Sequence, residues 1–177
     1  RRPMSERFDR AIAAIDAANG DDPETIVVGG VIPPKEQAHA ELMTEWVQRL
    51  DPLATEEQLL AARAHHLRRW TVPRSTYPDG RAAYLRWRRD RKEQHAKEVG
   101  SILADAGYDA ASVERVQSIV RKEHLASDAA VQVHEDALCL VFLAFQFTAL
   151  SAKTDDERMI NAVRKSWEKM SEAARAV

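Results

Sequence analysis

The sequence has little cysteine, glycine or proline, and it has no long apolar run. One cysteine in 177 residues excludes an internal disulfide framework and a four-cysteine zinc site. Six glycines and seven prolines are few for a β-rich or low-complexity chain. No apolar run reaches 18 residues and no apolar leader is visible, so we expect a soluble cytoplasmic protein without a membrane span.

The composition favours helix, because Ala, Glu, Arg and Leu are plentiful and all have high helix propensity. The length favours one domain, residues 1–177, that is large enough to bury a core. Apolar periodicity predicts about seven helices, over residues 5–18, 35–50, 55–69, 80–106, 111–124, 129–152 and from 154 almost to the end. Capping boxes are predicted at Thr55–Gln58 and Thr154–Glu157. Residues 137–150 are apolar on nearly every side, so we predict an all-α bundle around a central helix at 129–152.

The net charge of −2 hides a basic segment. Residues 63–92 contain ten Arg or Lys and only two acids, so the remainder of the chain is acidic. Arginine forks suit phosphate or carboxylate, and aromatic rings can stack on a base. Five residues of this segment are candidates for anion binding: Arg69, Arg74, Tyr77, Arg81 and Arg88. The alternative is a solvated helix face, and a pI near 6.3 disfavours a general nucleic-acid binder.

Several histidines fall on predicted inward stripes. His39 precedes Leu42 and Met43 at helical spacing, and His66, His95 and His124 lie on the stripes of three later helices. His65 is expected to point about 100° away from His66 on the same helix. Glu135 and Asp136 open the predicted central helix. Inward imidazoles and carboxylates from several helices can form a metal site, although hydrogen-bonded core histidines are the alternative.

The order of His39, the pair His65-His66, His95, His124 and Asp136 resembles the HD-domain superfamily of helical metal-dependent phosphohydrolases. That resemblance implies an HD-like bundle with a divalent metal (Zn, Mn, Fe or Mg) on His39, His66, His95 and Asp136, with His124 as a further candidate. It also implies Glu135 or His65 as the acid or base. The second residue of the pair is His rather than the usual Asp, which leaves a one-metal or a degenerate site.

A second resemblance covers nearly the whole chain. The segments Ala64–Pro78, Glu135–Leu143 and Ser166–Ser171 resemble the family called domain of unknown function 4202. That resemblance favours His66 over His65 as the ligand or acid/base group. It implies no particular activity.

Three hypotheses follow from the sequence. The first is a metal-dependent phosphohydrolase that acts on a small anionic or nucleotide-like substrate held by the arginine-rich loop. The second is a non-enzymatic module that binds a nucleotide, an RNA or an acidic partner. The third is an HD-type oxygenase that uses iron, for which a histidine-rich site is suited.

Overall fold

The computed structural model describes residues 4–147, residue 152 and residues 154–177. Within those residues the chain forms α-helices and short 3₁₀ and π turns, and its β-structure is limited to two isolated bridges in the loop 25–34. The predicted all-α class is therefore confirmed. The α-helices are α1 (Glu6–Gly20), α2 (Lys35–Leu50), α3 (Glu56–Arg63), α4 (Arg81–Asp105), α5 (Ala110–Arg121), α6 (Ala129–Val141), α7 (Asp156–Lys169) and α8 (Glu172–Arg175).

Local capping signals explain where two of the helices begin. Thr55 accepts a hydrogen bond from the backbone N–H of Gln58, and the Gln58 side chain accepts one from the backbone of Thr55, so the predicted capping box of α3 is confirmed. The predicted cap at Thr154 is wrong by one residue. Asp155 caps α7 instead, because its carboxylate accepts the backbone N–H of Arg158.

Two predicted helices end earlier than their apolar patterns suggest. Helix α3 stops at Arg63 rather than near residue 69, and α5 stops at Arg121, where the left-handed residue Lys122 follows. The predicted central helix begins as α6 and stays helical beyond Val141 as a π turn over Phe142–Gln146. The predicted residues 148–151 lie outside the described part of the chain.

The core has two main apolar clusters, and α3 lies between them. Leu60 and Ala61 pack with α1, α4 and α5, whereas Leu59 and Ala62 pack with α2 and α6. All four side chains are at most 1% exposed. Helix α6 is buried along most of its length and meets α8 in a smaller cluster. Because α2, α3 and α6 share one cluster, polar residues on their inner faces are brought together.

No helix among the described residues has both the length and the apolar character needed to cross a bilayer.

Candidate metal centre

Five histidines from four parts of the chain gather in the interior. The rings of His39 and His66 are stacked with centroids 4.1 Å apart, and the His65 ring lies 4.4 Å from that of His66. His134 lies 4.8 Å from His65, and His95 lies 6.1 Å from His66. The side chain of His66 is 15% exposed, whereas the other four residues are buried. The cluster thus reaches solvent at His66.

The first turns of α2 supply Glu36 and His39. Pro34 precedes the helix without a side-chain cap, and the carboxylate of Asp22 accepts the backbone N–H of Glu36 at 2.9 Å instead. Glu36 and His39 are three positions apart, so they lie on the same helix face. Asp22 fixes the start of α2 and thereby the position of both side chains.

The end of α3 explains how two consecutive histidines reach one site. The α-helix stops at Arg63, and the chain turns back at Arg68, which has a left-handed φ of 50°. The side chain of Asn19, on α1, contacts the backbone of Arg63 and Arg68 on either side of this turn. The expected 100° separation of His65 and His66 is wrong, because these residues lie beyond the regular helix.

The His66 ring lies between a carboxylate and a guanidinium group. Its Nδ1 is 3.1 Å from Oε2 of Glu36, and its Nε2 is 3.0 Å from Nη1 of Arg69. A guanidinium can only donate, so Nε2 accepts and the proton of the neutral ring is on Nδ1, which donates to Glu36. Ligand atoms of Glu36, His39 and His66 all lie within 4.8 Å of one another.

Other ring nitrogens in the cluster have no hydrogen-bond partner among the residues that the structure describes. Neither Nδ1 nor Nε2 of His39 has a hydrogen-bond partner, although both are buried. His95 donates from Nδ1 to the carbonyl oxygen of Leu67 at 2.8 Å, which leaves Nε2 with a lone pair and no partner. His134 Nε2 lies 2.9 Å from Nδ1 of His65, and its own Nδ1 is unpartnered. A buried polar atom without a partner is costly, so these nitrogens are not those of satisfied core histidines.

The surroundings keep the imidazoles neutral. Burial lowers the pKa of His39 and of His134 to about 3 and that of His95 to about 4. Burial likewise holds the pKa of His65 and His66 well below the usual value. Neutral imidazole is the form that binds metals.

Glu36 is the acid of the cluster. Burial raises its pKa to about 7, against the opposing effect of Arg69 and Lys35. A bound cation would favour its ionised form.

Not every predicted ligand lies in this cluster. His39, His65 and His66 meet there, and His95 lies beside His66. The structure does not bring Asp136 to the histidines, because Asp136 accepts hydrogen bonds from the backbone N–H and hydroxyl of Ser171 and from Gln132. His124 lies beyond the end of α5, exposed and with a left-handed φ of 58°. Its predicted inward position is wrong because α5 stops three residues before it.

Glu135, predicted to act in catalysis, belongs to a buried ion pair. Its Oε2 lies 2.5 Å from Nζ of Lys122, and its Oε1 lies 3.5 Å from Nζ of Lys169. The two ammonium groups outweigh the effect of burial and lower the pKa of Glu135. The carboxylate is therefore engaged as a counter-ion of two lysines.

The predicted anion-binding residues lie in different parts of the structure. Arg69 is in the cluster, whereas Arg74 donates to the carbonyl oxygens of Tyr77 and Pro78 at 2.9 Å each and so shapes the loop before α4. Tyr77 donates to Asp90 at 2.8 Å, which ties the same loop to α4.

The other two predicted anion-binding residues are exposed on α4. Arg81 is its first residue, and Arg88 has its guanidinium carbon 5.7 Å from the centre of the Tyr84 ring. They lie on the surface of the helix that carries His95 inward.

The sequence reasoning missed two residues of the site. Glu36 precedes His39 by three positions, and this Glu-x-x-His spacing is a ligand pattern of helical metalloproteins. His134 lies three positions before Ala137 and seven before Val141, both of which are buried on α6. In each case the helical spacing could have identified the residue.

A family profile described as domain of unknown function (DUF4202) matches residues 9–177. The chain belongs to this family, as its motifs led us to expect. Among the curated proteins and the solved structures, none matches the chain significantly.

Proposed function

We propose that this protein is a metal-dependent phosphohydrolase whose metal ion is held by Glu36, His39 and His66. The observation that carries the proposal is the buried His39 ring, which has two unpartnered nitrogens beside the Glu36 carboxylate and the His66 ring. One carboxylate and two imidazoles are the ligand set of several catalytic zinc sites, which leave a further position for water. This set suits Zn, Fe or Mn better than Mg, which prefers oxygen ligands.

The charge around the site favours an anionic substrate. A divalent ion beside Glu36 would leave a net positive charge, to which the Arg69 guanidinium adds. Arg69 is 3.0 Å from His66, at the side of the cluster that is open to solvent. An anion such as a phosphate ester offsets this charge.

The proposed reaction is hydrolysis of a phosphate ester, in which water attacks phosphorus and the P–O bond to the leaving alcohol breaks. A bound ion would polarise the phosphoryl oxygen and lower the pKa of water. Near His66, the neutral rings of His65 and His134 share a hydrogen bond of 2.9 Å. The proton that water gives up passes to the leaving oxygen, and this neutral pair lies where it can relay that proton.

Iron chemistry is a second candidate, and one observation favours it. Two histidines and one carboxylate with open positions also form the facial triad of non-haem iron(II) oxygenases. The positive charge of Arg69 beside His66 favours the hydrolase, whereas the ligand set is compatible with both.

The test begins with the metal. The chelated protein is titrated with Zn²⁺, Mn²⁺ or anaerobic Fe²⁺, and bound metal and melting temperature are measured. We expect about one ion per chain and a higher melting temperature, and we expect E36Q and H39Q to lose both effects. The matched control is H124Q, which changes the exposed histidine outside the cluster. Absence of stoichiometric metal from the wild type would overturn the proposal.

Hydrolysis of p-nitrophenyl phosphate by each loaded form then separates the two candidates. Phosphate release with zinc or manganese supports the hydrolase. Oxygen consumption by the iron form without phosphate release supports the oxygenase instead.

A further inference from the structure

Arg91 is a buried cation without a counter-ion. It lies on α4 with 8% of its surface exposed, and its Nε and Nη1 atoms have no hydrogen-bond partner in the described part of the chain. Among the described residues, no carboxylate lies within 4.0 Å of its guanidinium. A buried charge is strongly destabilising unless it is paired, so this arrangement calls for a ligand.

Arg69 brings a second guanidinium to the same region. Its guanidinium carbon lies 4.7 Å from the centre of the Trp87 ring, one turn of α4 before Arg91. The indole is fixed in turn, since its Nε1 donates to the carbonyl oxygen of Val72 at 3.0 Å. Trp87 and Arg91 are four positions apart, so the Arg69 guanidinium lies at the face of α4 that carries Arg91.

We propose that Arg69 and Arg91 form a binding site for a phosphate group, with Arg88 at its exposed side. This inference rests on the proposed function and deepens it, because it names the group of the substrate that this side of the cluster recognises. Arginine forks bind phosphate oxygens through paired N–H donors. Nε and Nη1 of Arg91 are unpartnered, so donors on two sides of its guanidinium are available to an anion.

The His66 contact links this site to the metal ligands. Arg69 now donates to Nε2 of His66. If His66 ligates through Nε2, that lone pair is no longer available to Arg69. If it ligates through Nδ1, the ring proton moves to Nε2, which then cannot accept. Either way Arg69 loses its acceptor and becomes free to bind an anion, so metal and phosphate should bind cooperatively.

A phosphate group fits these residues better than a carboxylate or a nucleic acid. Two guanidinium charges match a dianion, whereas a carboxylate brings a single charge. Nucleic acids are bound by exposed cations, but Arg91 is buried. Arg74, at the surface, already donates to two carbonyl oxygens of its own loop.

The experiment measures binding of inorganic phosphate by calorimetry, first to the chelated protein and then to protein loaded with one equivalent of Zn²⁺ and freed of excess metal. We expect phosphate to bind more tightly to the zinc-loaded protein than to the chelated protein. We expect R91M to weaken phosphate binding at least tenfold, in the chelated or the zinc-loaded protein, wherever the wild type binds phosphate. R86Q, which changes an exposed arginine on the same helix, should leave phosphate affinity unchanged. Acetate and sulfate serve as the monoanion and dianion comparisons.

A second measurement separates ligand binding from a structural role. Without phosphate, R91M should be at least as stable to urea as the wild type, because it removes an unpaired buried charge. An arginine that merely supported the fold would lose stability when replaced. Phosphate binding in neither form, or equal binding by R91M and wild type, would overturn the inference. Failure of zinc to bind while phosphate binding still depends on Arg91 would overturn the metal proposal alone.

Discussion

Nε2 of His134 lies 2.9 Å from Nδ1 of His65, and this contact joins α6 to the turn that follows α3. Both side chains are buried, and 69 residues separate them in sequence. In two neutral rings, one nitrogen donates and the other accepts, so the pair shares one proton.

Loss of the His134 ring should therefore destabilise the protein. We expect His134→Ala to lower the free energy of unfolding by about 2–4 kcal/mol, because it leaves a cavity and an unpartnered nitrogen on His65. His134→Gln, whose amide can replace part of the hydrogen bond, should lose less. Urea denaturation measures both variants, with His124→Gln as the exposed control. Equal stability of His134→Ala and wild type would refute the structural role of this contact.

Stability should fall as the solution is acidified from pH 7 to pH 5. The buried histidines have folded-state pKa values near 3 or 4, whereas unfolded histidine titrates near 6.5. The unfolded chain thus takes up protons that the folded chain does not, which costs about 1.4 kcal/mol per pH unit for each such histidine. Glu36 opposes this trend, because its pKa near 7 lets the folded state take up a proton in the same range.

We expect a net loss of at least about 2 kcal/mol between pH 7 and pH 5, since several histidines act against one acid. Urea denaturation at each pH measures it. H124Q should keep the same dependence, because His124 lies outside the buried cluster, whereas H39L should flatten it. Stability that stays constant or rises on acidification would contradict neutral burial of these rings.

Asp136 should prove structural. D136A removes the acceptor of Ser171 N–H at 2.8 Å and of its hydroxyl at 2.6 Å, at the start of α8. We expect a loss of about 1–3 kcal/mol in the free energy of unfolding and no change in zinc stoichiometry. D105A, which changes an exposed acid at the end of α4, is the matched control. Loss of zinc from a stably folded D136A would restore the ligand role that the HD resemblance implied.

Glu135 should matter through Lys122. The lysine side chain is 13% exposed, so E135Q leaves a mostly buried ammonium without its closest partner. We expect E135Q to lower the free energy of unfolding by about 3 kcal/mol and the double variant K122Q/E135Q to recover part of that loss. E123Q changes a half-buried acid near Arg121 and is the control. A stable E135Q that loses phosphate release would instead support the catalytic role predicted from sequence.

Sequence patterns predicted most of the helices because helix formation and capping depend mainly on residues that are close in sequence. The capping box at Thr55 and the apolar stripe of α2 act within a few residues, and both predictions agree with the structure. Helix ends at Arg63 and Arg121 were placed too late, because apolar periodicity continues beyond them. The turn after Arg63 depends on Asn19, which is 44 residues away, so local sequence could not reveal it.

The sequence by itself determined the all-α class, the family and the grouping of His39 and His66 as candidates. Helix spacing and motif composition decide these properties, and both can be read along the chain. Only the tertiary structure decided which acid joins them. In the folded chain Glu36 contacts His66, whereas Asp136 accepts from Ser171 and Glu135 pairs with Lys122. A carboxylate can satisfy its charge with any partner in reach, and packing between helices decides which partner that is.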